Sequence, residues 1–202
     1  MRPELQRQSD MNSARRENRM ALVDITLKLT PDILKDAPGN AIFKGHLGTH
    51  FDVMDKEFPL EYTRRNGVVF DVSSVRDRDI EISDIDMDLV DKDMFVAFHT
   101  GWIEEKGYGT KEYNTDHPQL SDELIDALLE KGISIIGIDC YGVRRGAEHT
   151  PKDHYCADRG VFIIENLCNL DQVIGRCVVN TYPVNISGIS GLPCRVIAEK
   201  QE

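Results

Sequence analysis

Two imidazoles and a carboxylate, His46, His50 and Asp52, fall within seven residues of one another in the stretch GHLGTHFD at 45–52. Imidazole and carboxylate together form a ligand set for zinc, manganese or iron. All three residues stand at even positions. In an extended chain, alternate side chains share a face, so the three would point the same way. Gly48 lies between them and adds no side chain to fill the space. A helix would also bring His46 and His50 together, at i and i+4. Gly45, Gly48 and the β-branched Thr49 oppose a helix, and the helical zinc-protease motif needs a Glu where Leu47 stands. The spacing therefore predicts an extended segment with one metal-binding face. The bland alternative for so short a motif is a polar turn.

Glu165 is the second anchor. It sits in the apolar run VFIIENL at 161–167, and a carboxylate inside a buried strand is costly unless it is paired or metal-bound. An ion pair with Arg144 or Arg159 is one solution, and a metal shared with the early cluster is the other. His149, Asp153 and His154, just upstream, offer further ligands. An open position on such a metal would bind water, lower its pKa and polarise a carbonyl. Arg144 and Arg145 would either orient a carboxylate-bearing substrate or neutralise neighbouring acids. His99 reads as a packed strand end. His117, before Pro118 in a polar loop, reads as exposed.

The elements that must position these groups are legible as an alternation of strands and helices. Residues 22–29, 67–73, 94–99, 133–140 and 161–167 read as strands, and 173–186 and 194–199 as the last ones. Thr30 and Pro31 open a short helix. Ser121, with Asp122 and Glu123 in the first turn, opens another that Gly132 ends. Residues 77–91 suggest an edge strand, 55–67 a loop over the site, 102–119 a long polar loop and 141–153 a polar connector. A helix followed by a continuous apolar strand implies an α/β fold with a covered, mixed sheet.

The whole chain narrows the function classes. Its 202 residues suit a single domain over 20–202, preceded by a polar, Arg-rich segment at 1–19 expected to be a flexible extension. That segment carries five Arg against three acids, which leaves 19 basic and 32 acidic residues in the remainder. So acidic a surface argues against nucleic acid as a partner. No apolar run reaches the ~18 residues of a membrane span, and the N-terminus lacks the apolar stretch of a secretory signal. Five cysteines without a CxxC pair read as buried free thiols of a reducing, cytoplasmic compartment.

The order HLGTHFD, a strand ending in TGW, then GIDC, then GVFIIENL followed by Asn169-Leu170-Asp171, resembles the cyclase family of metal-dependent hydrolases. That family includes kynurenine formamidases and isatin hydrolase-like enzymes. The resemblance spans nearly all of 20–202. It implies a swivelling β/α/β fold, Zn2+ or Mn2+, and a homodimer or homotetramer. It also implies hydrolysis of carbon–nitrogen bonds other than peptide bonds, or of related esters, in a small-molecule substrate. Carried over by position, His46, His50 and Asp52 match the first ligands and Glu165 the late carboxylate ligand. Trp102 matches a tryptophan that either lines the pocket or packs beneath it. Two positions depart from the pattern. Lys56 stands where the family's catalytic His is expected, and the Pro of that motif is missing. Asp153 stands where a metal-binding His is expected, with His154 adjacent and His149 four residues earlier. Lys56 would then be a catalytic base, an anion-binding group or a solvated charge. Asp153 would be a replacement ligand, unless His149 or His154 turns inward. The alternative to a hydrolase is a non-catalytic member that binds a small anion or a metal.

Overall fold

Leu124, Ile125 and Leu128, at the i, i+1 and i+4 spacing of one helical face, are all fully buried. Burying each stabilises the fold by about 1.5–3 kcal/mol, and Ser121 caps their helix as expected by accepting from the Leu124 N–H. The computed structural model describes residues 21–200, without the side chain of Asn40; the expected extension at 1–19 lies outside the described residues.

In chain order the elements are β1 (Leu22–Asp24), α1 (Pro31–Asp36), α2 (Gly39–Lys44), β2 (His50–Asp52), β3 (Arg64–Asp71) and β4 (Phe95–His99). They continue with α3 (Trp102–Lys106), α4 (Lys111–Thr115), α5 (Asp122–Lys131), β5 (Ile135–Ile138), α6 (His149–Ala157), β6 (Phe162–Glu165), β7 (Gly175–Pro183) and β8 (Gly191–Lys200). The strands form one mixed sheet in the order β1-β8-β2-β6-β5-β4-β3-β7, and β7 also pairs with β8, giving a barrel-like closure. Strands β3, β4, β5 and β6 pair in parallel with one another, whereas β7 lies antiparallel to β3, and β2 lies antiparallel between β6 and β8.

Both faces of the parallel strands are covered, which is why they read as continuous apolar runs. Val69, Phe95, Ala97, Ile135, Phe162 and Ile164 enter one core. Their alternates Val68, Val96, Phe98, Ile136, Ile138 and Ile163 enter the other, with the apolar face of α5.

Several local expectations change. Strand β1 stops at Asp24, and beyond it Thr26 makes a single bridge to Leu167. Residues 77–91 hold two 3-10 turns, Ile82–Asp84 and Met87–Leu89, and touch the sheet's surroundings through one Ile80–Leu120 bridge. Their apolar residues alternate, but Asp84 and Asp86 accept backbone N–H groups locally and compete with a strand ladder. The loop expected at 102–119 contains α3 and α4, and the connector expected at 141–153 becomes α6 halfway along.

Candidate metal centre

The expected extended face over 46–52 forms only in its second half. His50 and Asp52 lie on β2, while His46 sits in the turn between α2 and that strand. Gly45 ends α2 at a φ of 81°, where a Cβ would overlap the Gly191 carbonyl. Gly48, at a φ of 66°, turns the chain again. Both positions lie in the left-handed region that glycine adopts without strain. The turn folds His46 back over the strand, so its Nδ1 comes to 3.0 Å from Asp52 Oδ1 and 3.0 Å from His50 Nε2.

Each ring has its outward nitrogen fixed. His50 Nδ1 donates to the Gly48 carbonyl at 2.8 Å, and His46 Nε2 bonds Ser190 Oγ at 2.8 Å. The other nitrogens are left facing Asp52, the arrangement that outer partners give to metal-ligating imidazoles. The Gly48 carbonyl also accepts from Asn166 Nδ2, and the Tyr113 hydroxyl donates to Asn166 Oδ1 at 2.7 Å. The Thr49 hydroxyl donates to the Asn166 carbonyl at 2.7 Å. Sequence reading placed Gly48 and Thr49 as serving the geometry of the motif and missed Ser190, Tyr113 and Asn166. The one signal for Asn166 was its place directly after Glu165, where it takes a φ of 58°.

Strand β6 brings Glu165 opposite His50 in the antiparallel register, with Oε2 at 3.6 Å from His50 Nε2. Neither Arg144 nor Arg159 pairs with it: Arg144 bonds Asp79 and Glu148, and Arg159 stacks on Tyr155. Helix α6 covers the same face. It presents His149 and Asp153 one turn apart, with His149 Nε2 at 3.3 Å from Asp153 Oδ2 and 3.2 Å from Glu165 Oε1.

Asp52, Asp153 and Glu165 are each at most 2% exposed. Both oxygens of Asp52, both of Asp153 and Oε1 of Glu165 have no hydrogen-bond partner among the described residues. Burial, and then the neighbouring Asp52, push the Asp153 carboxyl up to about 9. Burial, Asp52 and Asp153 likewise raise Glu165 well above the usual carboxylate range. Burial opposes the charged form of Asp52 too, but His50 and His46 beside it hold that carboxyl below its ordinary value. Burial lowers the His149 imidazole. Three buried carboxylates with orphaned oxygens are unfavourable alone and suited to a divalent cation. The donor atoms divide into two overlapping groups, His46–His50–Asp52 and Asp52–His149–Asp153–Glu165, with all atoms of a group within 4.8 Å of one another. Donors ~2.1 Å from a shared ion lie at most about 4.2 Å apart, and the His–carboxylate separations of 3.0, 3.6, 3.3 and 3.2 Å fall inside that limit. The residues present therefore fit a metal.

These groups line a cavity of about 720 Å³, with His154 and Tyr141 on its exposed rim and Arg145 in its wall. That volume is ordinary for a small-molecule site, about 300–1,000 Å³. A second cavity of about 840 Å³ adjoins it through Lys44, Met54 and Ser190, and its lining contains none of the cluster residues.

Two open alternatives narrow, at Lys56 and Trp102, and one expectation, at His117, needs correction. Lys56 lines the second cavity and not the cluster; its Nζ lies 2.7 Å from Asp158 and 3.0 Å from Asp55. Those two carboxylates raise its pKa, the wrong direction for a base. Trp102 is 9% exposed and packs in the core, with its Nε1 donating to the Tyr113 carbonyl. Its role is packing, because α3 turns the ring inward beneath Arg76 and Lys106. His117 is fully buried beside the cavity, not exposed. Its Nδ1 donates to the Pro118 carbonyl, and burial lowers its pKa to about 4.

Comparison with known proteins bears on the fold and the family. Among curated proteins none matches. A solved structure described as a potential metal-dependent hydrolase with cyclase activity superposes with a TM-score of 0.72 at 24% identity, covering 90% of this chain and 99% of that one. Isatin hydrolase A from Labrenzia aggregata, bound to benzyl benzoate, gives 0.72 at 21% identity, with 96% and 99% covered. Isatin hydrolase A from Ralstonia solanacearum gives 0.74 at 19%, with 96% and 97% covered. At these identities the likeness establishes the fold. Residues 23–145, well over half of the chain and including His46, His50 and Asp52, match the family model described as "Putative cyclase", and the chain belongs to the cyclase family.

Proposed function

We propose that this protein is a metal-dependent hydrolase of small amides, formamides, or cyclic amides and esters, with Zn2+ or Mn2+ as its ion. The observation that carries the reading is the convergence of Asp52, Glu165 and the paired imidazoles of His46 and His50, with orphaned carboxylate oxygens, in the wall of a ligand-sized cavity. A divalent ion there supplies Lewis acidity, acidifying water and drawing charge from a carbonyl oxygen. The chain's own residues hold and orient. Ser190 and the Gly48 carbonyl fix the rings, and Glu165 closes the cluster from β6. Arg145, whose backbone is pinned to Gln119, offers a cation in the cavity wall for an anionic group of the substrate. His154 at the rim is placed to exchange a proton with solvent, a role Lys56 does not fill.

The isatin hydrolases of the same fold support a cyclic amide as the first substrate to try. The test is turnover of formylated anilines, cyclic imides and lactones by metal-stripped protein before and after adding zinc or manganese. Metal-dependent turnover of one class is expected; absence of both metal uptake and turnover sinks the proposal. One observation favours a second reading, a non-catalytic protein that binds a small anion or metal: the lysine at the expected catalytic position is committed to Asp158. In that case Lys56→His would confer hydrolysis on a protein that otherwise has none.

A further inference from the structure

The segment 102–115, a polar loop by its sequence, reaches the 45–52 turn with two phenols. Tyr108 stands between Gly107 and Gly109, whose φ angles of 78° and 82° lie in the left-handed region open to glycine. Its ring rests against that of Tyr113, with centroids 5.8 Å apart. The Tyr108 hydroxyl accepts the Gly48 N–H at 2.9 Å. Tyr113 is fully buried on α4, where its N–H donates to the Thr110 hydroxyl and its carbonyl accepts from the Trp102 indole. The Tyr113 hydroxyl donates to Asn166 Oδ1, and Asn166 Nδ2 donates to the Gly48 carbonyl at 3.0 Å. Both phenols therefore end on the same glycine, one directly and one through Asn166.

The two contacts hold the two peptide planes that meet at the Gly48 Cα. The N–H belongs to the plane before that atom and the carbonyl to the plane after it. Glycine by itself leaves such planes free to rotate. A bulkier residue cannot stiffen the turn from within, because the Leu29 side chain lies 2.9 Å from where a Cβ would stand. The turn is instead fixed from outside, by the 102–115 segment. What it fixes is the imidazole pair. The Gly48 carbonyl accepts from His50 Nδ1 at 2.8 Å, and the turn folds His46 Nδ1 to 3.0 Å from His50 Nε2. We propose that Tyr108 is a positioning residue: with Tyr113 acting through Asn166, it locks the Gly48 turn and so sets the separation at which His46 and His50 present their nitrogens to an ion. Neither phenol is among the described residues that line the cluster cavity, so both act through the turn. This inference rests on reading the cluster as a metal site, and it concerns what fixes the geometry of that site.

The test is metal binding by the full chain without substrate. Tyr108→Phe keeps the ring and removes only the hydroxyl. Zinc affinity, read by competition with a chelating dye, should fall about tenfold or more, the range for a lost outer partner of a ligand. The visible spectrum of the cobalt(II)-loaded protein, which reports ligand geometry, should change with it. Tyr62→Phe is the matched control. Its hydroxyl donates to the Gly160 carbonyl, outside the cluster, so both readings should keep their parental values. Tyr108→Phe combined with Asn166→Ala should cost less than the product of the two single losses, because both groups hold one glycine. Hydrogen exchange at the Gly48 amide of metal-stripped protein should quicken several-fold in Tyr108→Phe. Parental affinity and spectrum in Tyr108→Phe, or an equal loss in Tyr62→Phe, overturns the proposal. Should the parent take up no metal, the functional reading fails and exchange at Gly48 alone decides the clamp: faster exchange in Tyr108→Phe upholds it, and unchanged exchange overturns it.

Discussion

His50 and Glu165 are direct cross-strand partners in the antiparallel β2–β6 pair, and their side chains meet at 3.6 Å. An even register shift would keep the faces but separate the partners. A shift of one residue would turn Glu165 into the opposite core, where Ile164 now packs. The cluster therefore exists because the β2–β6 register is fixed, with Phe51 and Ile164 buried on the other face.

Glu165→Gln should expose the strain that the cluster carries without an ion. The substitution replaces a buried acid that folding must keep protonated above its ordinary pKa with an amide that needs no proton. We expect the metal-stripped variant to melt higher than the parent, by about 2–4 °C for each kcal/mol relieved in a chain of this size. The rise in melting temperature on adding zinc or manganese should shrink, because a ligand stabilises only the state it binds. Paired thermal scans with and without metal check both halves; a lower melting temperature for the stripped variant would contradict the account.

Stability of the metal-stripped protein should fall as pH rises above about 4. Asp153, with a folded pKa of about 9, and Glu165, also raised, keep their protons in the folded state over a range where the unfolded chain has lost them. The folded state then binds more protons, so the slope of stability against pH is negative through that window. His117 acts in the opposite sense: its pKa of about 4 means stability is lost as pH falls from 6.5 toward 4. Urea unfolding of chelator-treated protein at pH 5, 6.5 and 8 measures the balance. Saturating metal should flatten the alkaline limb, because it replaces the protons that the carboxylates otherwise need.

Asn166→Ala should damage the site without touching a donor atom. It leaves the Tyr113 hydroxyl without its acceptor and removes one of the two bonds that hold the Gly48 carbonyl beneath His50. An unsatisfied buried polar group costs about 1–3 kcal/mol. Metal affinity should drop about tenfold or more, the range for a lost outer partner of a ligand. Calorimetric metal titration beside urea unfolding reads the two effects separately, and unchanged affinity would show that His50 is held by packing alone.

Lys56→Met should leave the pH dependence of kcat/KM unchanged in shape. The lysine is ion-paired to Asp158 and Asp55 outside the cluster cavity. Loss of one limb of the profile, with a fall of about a hundredfold or more as expected for a general base, would return Lys56 to the chemistry.

Much of this protein was legible in its sequence. The capped helix α5 and the buried runs of β4, β5 and β6 follow from local periodicity and cap residues, because those signals act over a few positions. The pairing of His46, His50 and Asp52 was legible as spacing, although the turn at Gly45 and Gly48, not a continuous strand, delivers it. Helix α6 was not legible as a helix. Only Cys156 and Ala157 of its nine residues join Asp153 in burial, no side chain caps it, and Pro151 in its first turn was the one available signal. The sequence by itself determined the fold class, the donor types and the two anchors. The tertiary structure alone decided that Glu165 meets His50, that His149 and Asp153 descend on the same point, and that Lys56 turns away. Such convergence depends on strand register and helix placement, which are set by core packing between segments far apart in the chain and leave no mark on local spacing.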